Sequence, residues 1–337
     1  MKQYKYSTLA NIVKKFRQKK IMVIGDLLLD QYIWGEVSRI SPEAPVPVVW
    51  VKKESYVPGG ACNVANNLSS LGAKVSLVGV VGSGGDEKTR KLIEELHNRN
   101  ISTDGVISDG KRPTSLKTRV IAHNPSPQQV VRIDREDIHQ IPLRHQKTIL
   151  KYVKKSIKEF DALVIEDYGK GVITPQLISE VVRLAKRNKK FVAVDPKESH
   201  FGYYKDVSVI TPNRHEAEKD VGFAIDSKEA LFKAGDKLVR KHKADVILIT
   251  LGEGGMMVFE KGKRPHKIST LVQEVFDVSG AGDTVIAVYA LSAVSGGSPI
   301  QAARIANCAA GMVVEREGTA VVEQKELLSR LKQVTGK

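Results

Sequence analysis

Cysteine is almost missing from this chain: Cys62 and Cys308 are the only two in 337 residues. Two distant thiols make neither a disulfide framework nor a metal-ligand spacing, and they point to a reducing compartment, the cytoplasm. Aromatics are sparse at 6%, which argues against a binder built on base stacking. No apolar run approaches the roughly 20 residues of a membrane span. The start, Met1-Lys2-Gln3-Tyr4-Lys5-Tyr6, leads into a lysine-rich stretch and not into an apolar signal core. The eight histidines show no ligand spacing, so no structural metal is expected.

Positive charge, by contrast, is in excess, at a formal +15. A nucleic-acid partner needs that charge on one face. Here Lys and Arg are scattered through helical stretches, as in Lys154-Lys155 and Lys186-Arg187-Asn188-Lys189-Lys190, so no such partner is expected. Attraction of anionic small molecules is one use for the charge. A lysine-rich decoration of solvated faces is the plainer one.

Short apolar runs alternate with amphipathic stretches. Ile21-Met22-Val23-Ile24, Val75 to Val81, Ala162-Leu163-Val164-Ile165, Phe191-Val192-Ala193-Val194 and Val246-Ile247-Leu248-Ile249 read as buried parallel strands. The expected fold class is therefore α/β, an open, mostly parallel sheet flanked by helices. Ligands in such folds bind beyond the carboxyl ends of the strands. Segments 31–53 and 105–133 break the alternation. They hold pieces such as Val46-Pro47-Val48-Val49-Trp50-Val51 without a crossover helix, and read as a small antiparallel lid on a single domain spanning 1–337. Such a lid leaves sheet edges that need cover, so a homodimer through it is expected.

Three segments carry chemistry. In Asp277-Val278-Ser279-Gly280-Ala281-Gly282-Asp283-Thr284, small residues let main-chain N–H groups approach an anion, and a helix begins behind them. Asp283 at the edge of that nest can accept a hydroxyl proton; a glycine turn with a capping Asp is the alternative. In Pro58-Gly59-Gly60-Ala61-Cys62-Asn63, paired glycines open a helix and the Asn63 amide suits sugar hydroxyls; a plain loop-to-helix turn is the alternative. In Thr211-Pro212-Asn213-Arg214-His215-Glu216, Glu216 can face hydrated Mg²⁺ beside nucleotide phosphates, or simply cap a helix with Asn213.

In that order along one α/β chain, these segments resemble the ribokinase-like (PfkB) carbohydrate kinases over nearly the whole length. Gly59-Gly60-Ala61-Cys62-Asn63-Val64-Ala65 is similar to the family's first signature, and Asp277 to Asp283 to its second and more specific one. Gly25-Asp26-Leu27-Leu28-Leu29-Asp30-Gln31-Tyr32, Ser38 to Val49, Gln128 to Asp134, Glu166-Asp167-Tyr168-Gly169-Lys170-Gly171, Val194-Asp195-Pro196-Lys197 and Glu317-Gly318-Thr319-Ala320 resemble its D-glycero-β-D-manno-heptose-7-phosphate kinase branch, which serves ADP-heptose and lipopolysaccharide-core precursor synthesis.

The resemblance implies an ATP-dependent, Mg²⁺-requiring phosphotransferase acting on a sugar phosphate, with a monovalent cation as a further candidate cofactor. It implies Asp283 as base, with Gly280 and the main chain of Ala281, Gly282 and Asp283 as anion hole. Asn213 and Glu216 would lie near the phosphates and metal, Thr250, Gly252 and Gly255 on the nucleotide loop, and Asn307 on the adenine side. Asp26, Asp30, Gly59, Gly60 and Asn63 would contact the sugar. Among Arg39, Lys117, Arg132, Lys170 and Lys197, one or more would hold the 7-phosphate, the others being solvated surface charges. Two departures stand out. Asn124-Pro125-Ser126-Pro127 makes the lid turn long and stiff. The chain also holds no His-x-Gly-His motif, so the nucleotidyltransferase domain fused to many relatives is not expected, and this should be the kinase alone, with another protein adding the nucleotide. A phosphofructokinase-like or nucleoside kinase is the main rival; a non-catalytic sugar-phosphate sensor needs no base.

Overall fold

The computed structural model describes residues 5–123, 127–270, 275–316 and 318–335. The stiff turn at Asn124-Pro125-Ser126 and Glu317 of the late motif lie outside them. Two sheets organise the chain. The larger has nine strands in the order β13-β12-β11-β10-β9-β8-β1-β4-β5. Its members are β1 (Lys20–Gly25), β4 (Lys74–Val81), β5 (Ile101–Ser108), β8 (Ala162–Glu166), β9 (Phe191–Asp195), β10 (Val209–Ile210), β11 (Val246–Thr250), β12 (Met256–Glu260) and β13 (His266–Ile268). The pairs from β5 through β11 are parallel, and β12 and β13 add an antiparallel margin. All five apolar runs read from the sequence are strands of this sheet.

The runs are continuous because both sheet faces are covered. Ile21 and Val23 of β1 point into one core, with Val285, Val288 and Ala306 from the helices Ala281–Val294 and Pro299–Val314. Met22 and Ile24 point into the other, with Ile149, Ile178 and Leu238. From β1 the chain steps outward to β4 and β5; from β8 it steps the other way to β9, β10 and β11. The order reverses between β1 and β8, so a crevice opens at their carboxyl ends.

The smaller sheet has the order β3-β2-β6-β7, from β2 (Leu27–Ile40), β3 (Pro47–Gly60), β6 (Ser115–His123) and β7 (Pro127–Arg135). Two details correct the sequence reading of the lid. Residues 105–108 belong to β5, on the margin of the large sheet, with Gly105 opposite Val78; an edge strand needs no crossover helix, which is why the pattern broke there. The lid is also mixed: β2 and β6 run parallel, because both leave the large sheet at its carboxyl side and run outward.

Candidate active site

Gly280 adopts φ +76 at the N-terminus of the helix Ala281–Val294. A Cβ there would stand 2.7 Å from the Asn63 Nδ2, so glycine is required by both conformation and space. Asp277 ties down the preceding turn, accepting from the Ser279 N–H at 2.8 Å and the Gly318 N–H at 3.1 Å. The Ala281 N–H is donated to the Val278 carbonyl at 3.2 Å. Of the three amides expected to form an anion hole, those of Gly282 and Asp283 thus have no backbone partner among the described residues and are the ones available to an anion.

Asp283 itself is 5% exposed. Its Oδ2 accepts from Asn63 Nδ2 at 2.6 Å and its Oδ1 from the Tyr168 hydroxyl at 3.0 Å. Burial pushes its pKa up to about 6, against the pull of these two donors. The Asn63 amide is itself oriented. Thr284 Oγ1 donates to Asn67 Oδ1 at 2.9 Å, which turns Asn67 Nδ2 toward the Asn63 carbonyl at 3.0 Å and toward the Asn63 side-chain oxygen. Asn63 therefore faces the carboxylate with its NH₂ group.

Behind Asp283 lie two acids that the motif reading quoted without assigning a role. Glu166 ends β8 and Asp195 ends β9, and their carboxylates gather with that of Asp283 so that one oxygen from each lies within 4.8 Å of the others. The pKa values of Glu166 and Asp195 are both driven well above the usual range, first by burial, then by the neighbouring carboxylates including Glu216. Glu166 Oε2 is buried without a hydrogen-bond partner among the described residues. Crowded, dry, oxygen-only donors of one sign suit a hard divalent cation such as Mg²⁺. The missed signal was positional: each acid is the last residue of a buried parallel strand.

Beyond this cluster, a cavity of about 750 Å³ brings together Thr250, Gly252, Gly255 and Asn307, four of the residues expected on the nucleotide side, with Ala281 and Gly282 of the expected anion hole. Asn213 bridges to Thr250 beside it. Asn213 and Glu216 form a capping box on the helix Arg214–Val221, with Glu216 Oε2 accepting from the Asn213 N–H at 2.8 Å. Asn307 donates to the Ser269 carbonyl at 3.0 Å. Gly255, at φ +81, makes room for the Ile268 carbonyl, 2.1 Å from where its Cβ would be.

The expected sugar contacts divide. Asp30, on β2, receives the guanidinium of Arg119 at 2.5 Å, and Gly59 exists to admit it, since a Cβ would lie 2.2 Å from Asp30 Oδ2. Gly60, at φ +56, starts the helix that carries Asn63. Lys117 is half-buried over the Tyr168 ring at 4.9 Å; burial lowers its pKa, against the charge of Asp30. Asp26 is buried, its carboxylate accepting from the main-chain N–H groups of Tyr168, Lys170 and Val172. Among the other cations, Lys170 pairs with Glu136 at 2.6 Å, Lys197 lies near Glu198 at 3.9 Å beside Gly169, and Arg132 is exposed against Asp134 at 3.0 Å. Arg39 is exposed nine residues beyond Asp30 on the same strand, roughly 30 Å away, and is not brought to this site. Arg119, absent from the sequence reading, takes the place beside Asp30 that Arg39 does not reach.

The chain is similar to known proteins in both sequence and fold. The pfkB family carbohydrate kinase description matches residues 18–326. The bifunctional protein HldE of Desulfatibacillum aliphaticivorans is 45% identical over 320 residues, 95% of this chain and 64% of that protein. HldE of Helicobacter pylori strain J99 is 44% identical over 94% of the chain and 67% of its own length. The chain thus spans about two-thirds of the curated relatives it matches. Among solved structures, Escherichia coli phosphofructokinase-2 in complex with substrates and products superposes with a TM-score of 0.76 at 15% identity, covering 94% of this chain and all of that one. Arabidopsis thaliana ribokinase complexed with ribose and ATP does so with 0.72 at 19%, covering 93% and 99%. At such identities the likeness speaks for the ribokinase-like fold alone, but the match over most of the length and the relatives above 40% identity speak for more: the chain belongs to the pfkB family of carbohydrate kinases, phosphotransferases whose acceptor is a sugar hydroxyl.

Proposed function

We propose that this kinase transfers the γ-phosphoryl group of ATP to the anomeric hydroxyl of D-glycero-D-manno-heptose 7-phosphate, giving the 1,7-bisphosphate. The observation that carries the reading is Asp283, a buried carboxylate with two oriented donors at the mouth of a helix N-terminus that also borders a 750 Å³ cavity. The heptose assignment is supported by the branch-level motifs around Asp26, Arg39 and Lys170 and by the HldE relatives.

Asp283 accepts the hydroxyl proton as the sugar oxygen forms its bond to phosphorus and the bond to the ADP oxygen breaks. The N–H groups of Gly282 and Asp283, with the helix behind them, offset the charge on the moving phosphoryl group. Glu166, Asp195 and Glu216 would hold Mg²⁺, which supplies neutralisation of the nucleotide phosphates. On the sugar side, Lys117 over the Tyr168 ring and Arg119 beside Asp30 would serve as phosphate or hydroxyl partners.

We also propose that the lid pairs with a second copy of the chain. Every described side chain of β7 is exposed, and Trp50 and Ile133 are 64% and 56% exposed. The substrate reading is tested by coupled ADP release on heptose 7-phosphate, fructose 6-phosphate, free heptose and ribose, with ³¹P NMR of the product. Highest kcat/KM for heptose 7-phosphate and a new anomeric phosphate are expected; a preference for fructose 6-phosphate would overturn the substrate and leave the kinase standing.

A further inference from the structure

Asp26 and Asp30 stand four residues apart in one motif, yet they face different tasks. Asp26 is 1% exposed. Its Oδ2 accepts from the main-chain N–H groups of Tyr168 at 2.9 Å and Lys170 at 3.0 Å, and its Oδ1 from that of Val172 at 3.0 Å. These donors come from alternate residues because Gly169 and Gly171 between them lie in the left-handed region, at φ +69 and +85, which turns all three N–H groups to one side. The loop is pinned again from outside, where Arg112 donates to the Lys170 carbonyl at 2.7 Å and the Ile141 N–H to the Gly171 carbonyl at 2.9 Å.

Through its main chain, Asp26 also holds the opposite wall. Its carbonyl accepts from the Ala61 N–H at 3.1 Å, at the start of the helix that carries Asn63. Its own N–H is donated to the Glu166 carbonyl at 3.2 Å. Tyr168 and Asn63, the two donors to Asp283, are thus both anchored on this one residue.

We infer that Asp26 is a positioning residue: its carboxylate holds loop 168–172 in the conformation that delivers the Tyr168 hydroxyl to Asp283, and it makes no contact with the sugar. The inference rests on Asp283 being the base. An amide at position 26 keeps the size but replaces one acceptor oxygen with a donor, which faces N–H groups it cannot satisfy. The defect then reaches the chemistry by way of Tyr168 and leaves sugar binding alone.

The test uses the full chain with ATP and heptose 7-phosphate, comparing Asp26→Asn, Tyr168→Phe and the double variant. Asp26→Asn is expected to lower kcat about tenfold or more with the sugar KM within about threefold, and the double variant to be no slower than the slower single one, since both break one linkage. A tenfold rise in sugar KM at unchanged kcat, or defects that multiply, would overturn the inference. Should Asp26→Asn fail to fold, Gly169→Ala strains the same loop without touching Asp26; it is expected to give the same kcat loss, non-additive with Tyr168→Phe, and a wild-type kcat would count against the inference. Asp283→Asn in the same panel keeps the two readings apart. If it retains its kcat, the assignment of the base has failed; if it is inactive while the other defects multiply, only the role of Asp26 has.

Discussion

Strand β8 of the large sheet is buried at all five residues, whereas β7 of the lid exposes every side chain described on it. The contrast separates two ways of using a sheet. The large one is covered on both faces by helices of the same chain, so its strands are stable wherever they pack, and its carboxyl ends form a rigid platform for charged groups. The small one is held mainly by its own ladder and by the roots of β2 and β3 beside Asp30 and Gly59. Its outer half presents Ile40, Val46, Trp50, Val51, Val130, Val131 and Ile133 to solvent, more apolar surface than an isolated edge normally shows. Burial in the first sheet is intramolecular; in the second these side chains stay exposed within the single chain.

If the chemistry belongs to the platform, its loss should be catalytic and not structural. Asp283→Asn is expected to lower kcat by roughly 10²–10⁴ while melting temperature and ATP binding stay near wild type. Coupled ADP release beside calorimetry measures both, and a variant that keeps most of its turnover would remove Asp283 from the mechanism.

Stability sharpens the contrast next. Ile165→Ala empties a fully buried position in β8 and should cost about 2–5 kcal/mol, while Val131→Ala, 45% exposed on β7, should stay within about 0.5 kcal/mol. Urea unfolding of both variants decides it; equal costs would mean that the lid is already packed in the single chain.

Trp50→Asp on β3 should convert a lid-paired dimer to a monomer with its fold intact, a change of about tenfold or more in the dimer dissociation constant. Light scattering across micromolar concentrations reads this directly. A wild-type chain that is monomeric there would leave the apolar lid face without its proposed partner.

The smallest effect lies far from both sheets' chemistry. Asp220 accepts from His242 and Lys241, both at 2.7 Å. Burial would raise its pKa, but these bonds outweigh burial and hold it below the usual value. A depressed carboxylate stabilises the fold above its unfolded pKa of about 3.9 and loses that contribution as pH falls through the folded value. Asp220→Asn should therefore be less stable than wild type at pH 7, by an amount of the order of 1 kcal/mol, and the difference should shrink below about pH 4 in thermal scans. A gap that is constant with pH would exclude the ionic contribution.

The runs forming β1, β4, β8, β9 and β11 were legible because apolar continuity is a local signal of a strand covered on both faces. The turn from Asp277 to Asp283 and the glycines at 59 and 60 were equally legible, because tight turns before helices demand small residues within a few positions. What sequence alone could not place depends on register and strand order. Glu166, Asp195 and Asp283 are 29 and then 88 positions apart, and only parallel pairing of β8 with β9 beneath the helix Ala281–Val294 sets their oxygens within 4.8 Å of one another. Arg119 reaches Asp30 because β6 lies parallel to β2 with Lys117 opposite Asp30, a pairing no local pattern encodes. Asp26 and Asp30 read alike as neighbours in one motif. One follows the end of β1 and turns to the 168–172 loop, while the other has entered the lid. The sequence alone determined the elements and their turns, because those follow from interactions between near neighbours. The tertiary structure decided which acids share one site and which way each faces, because burial and repulsion act between groups that only folding brings together.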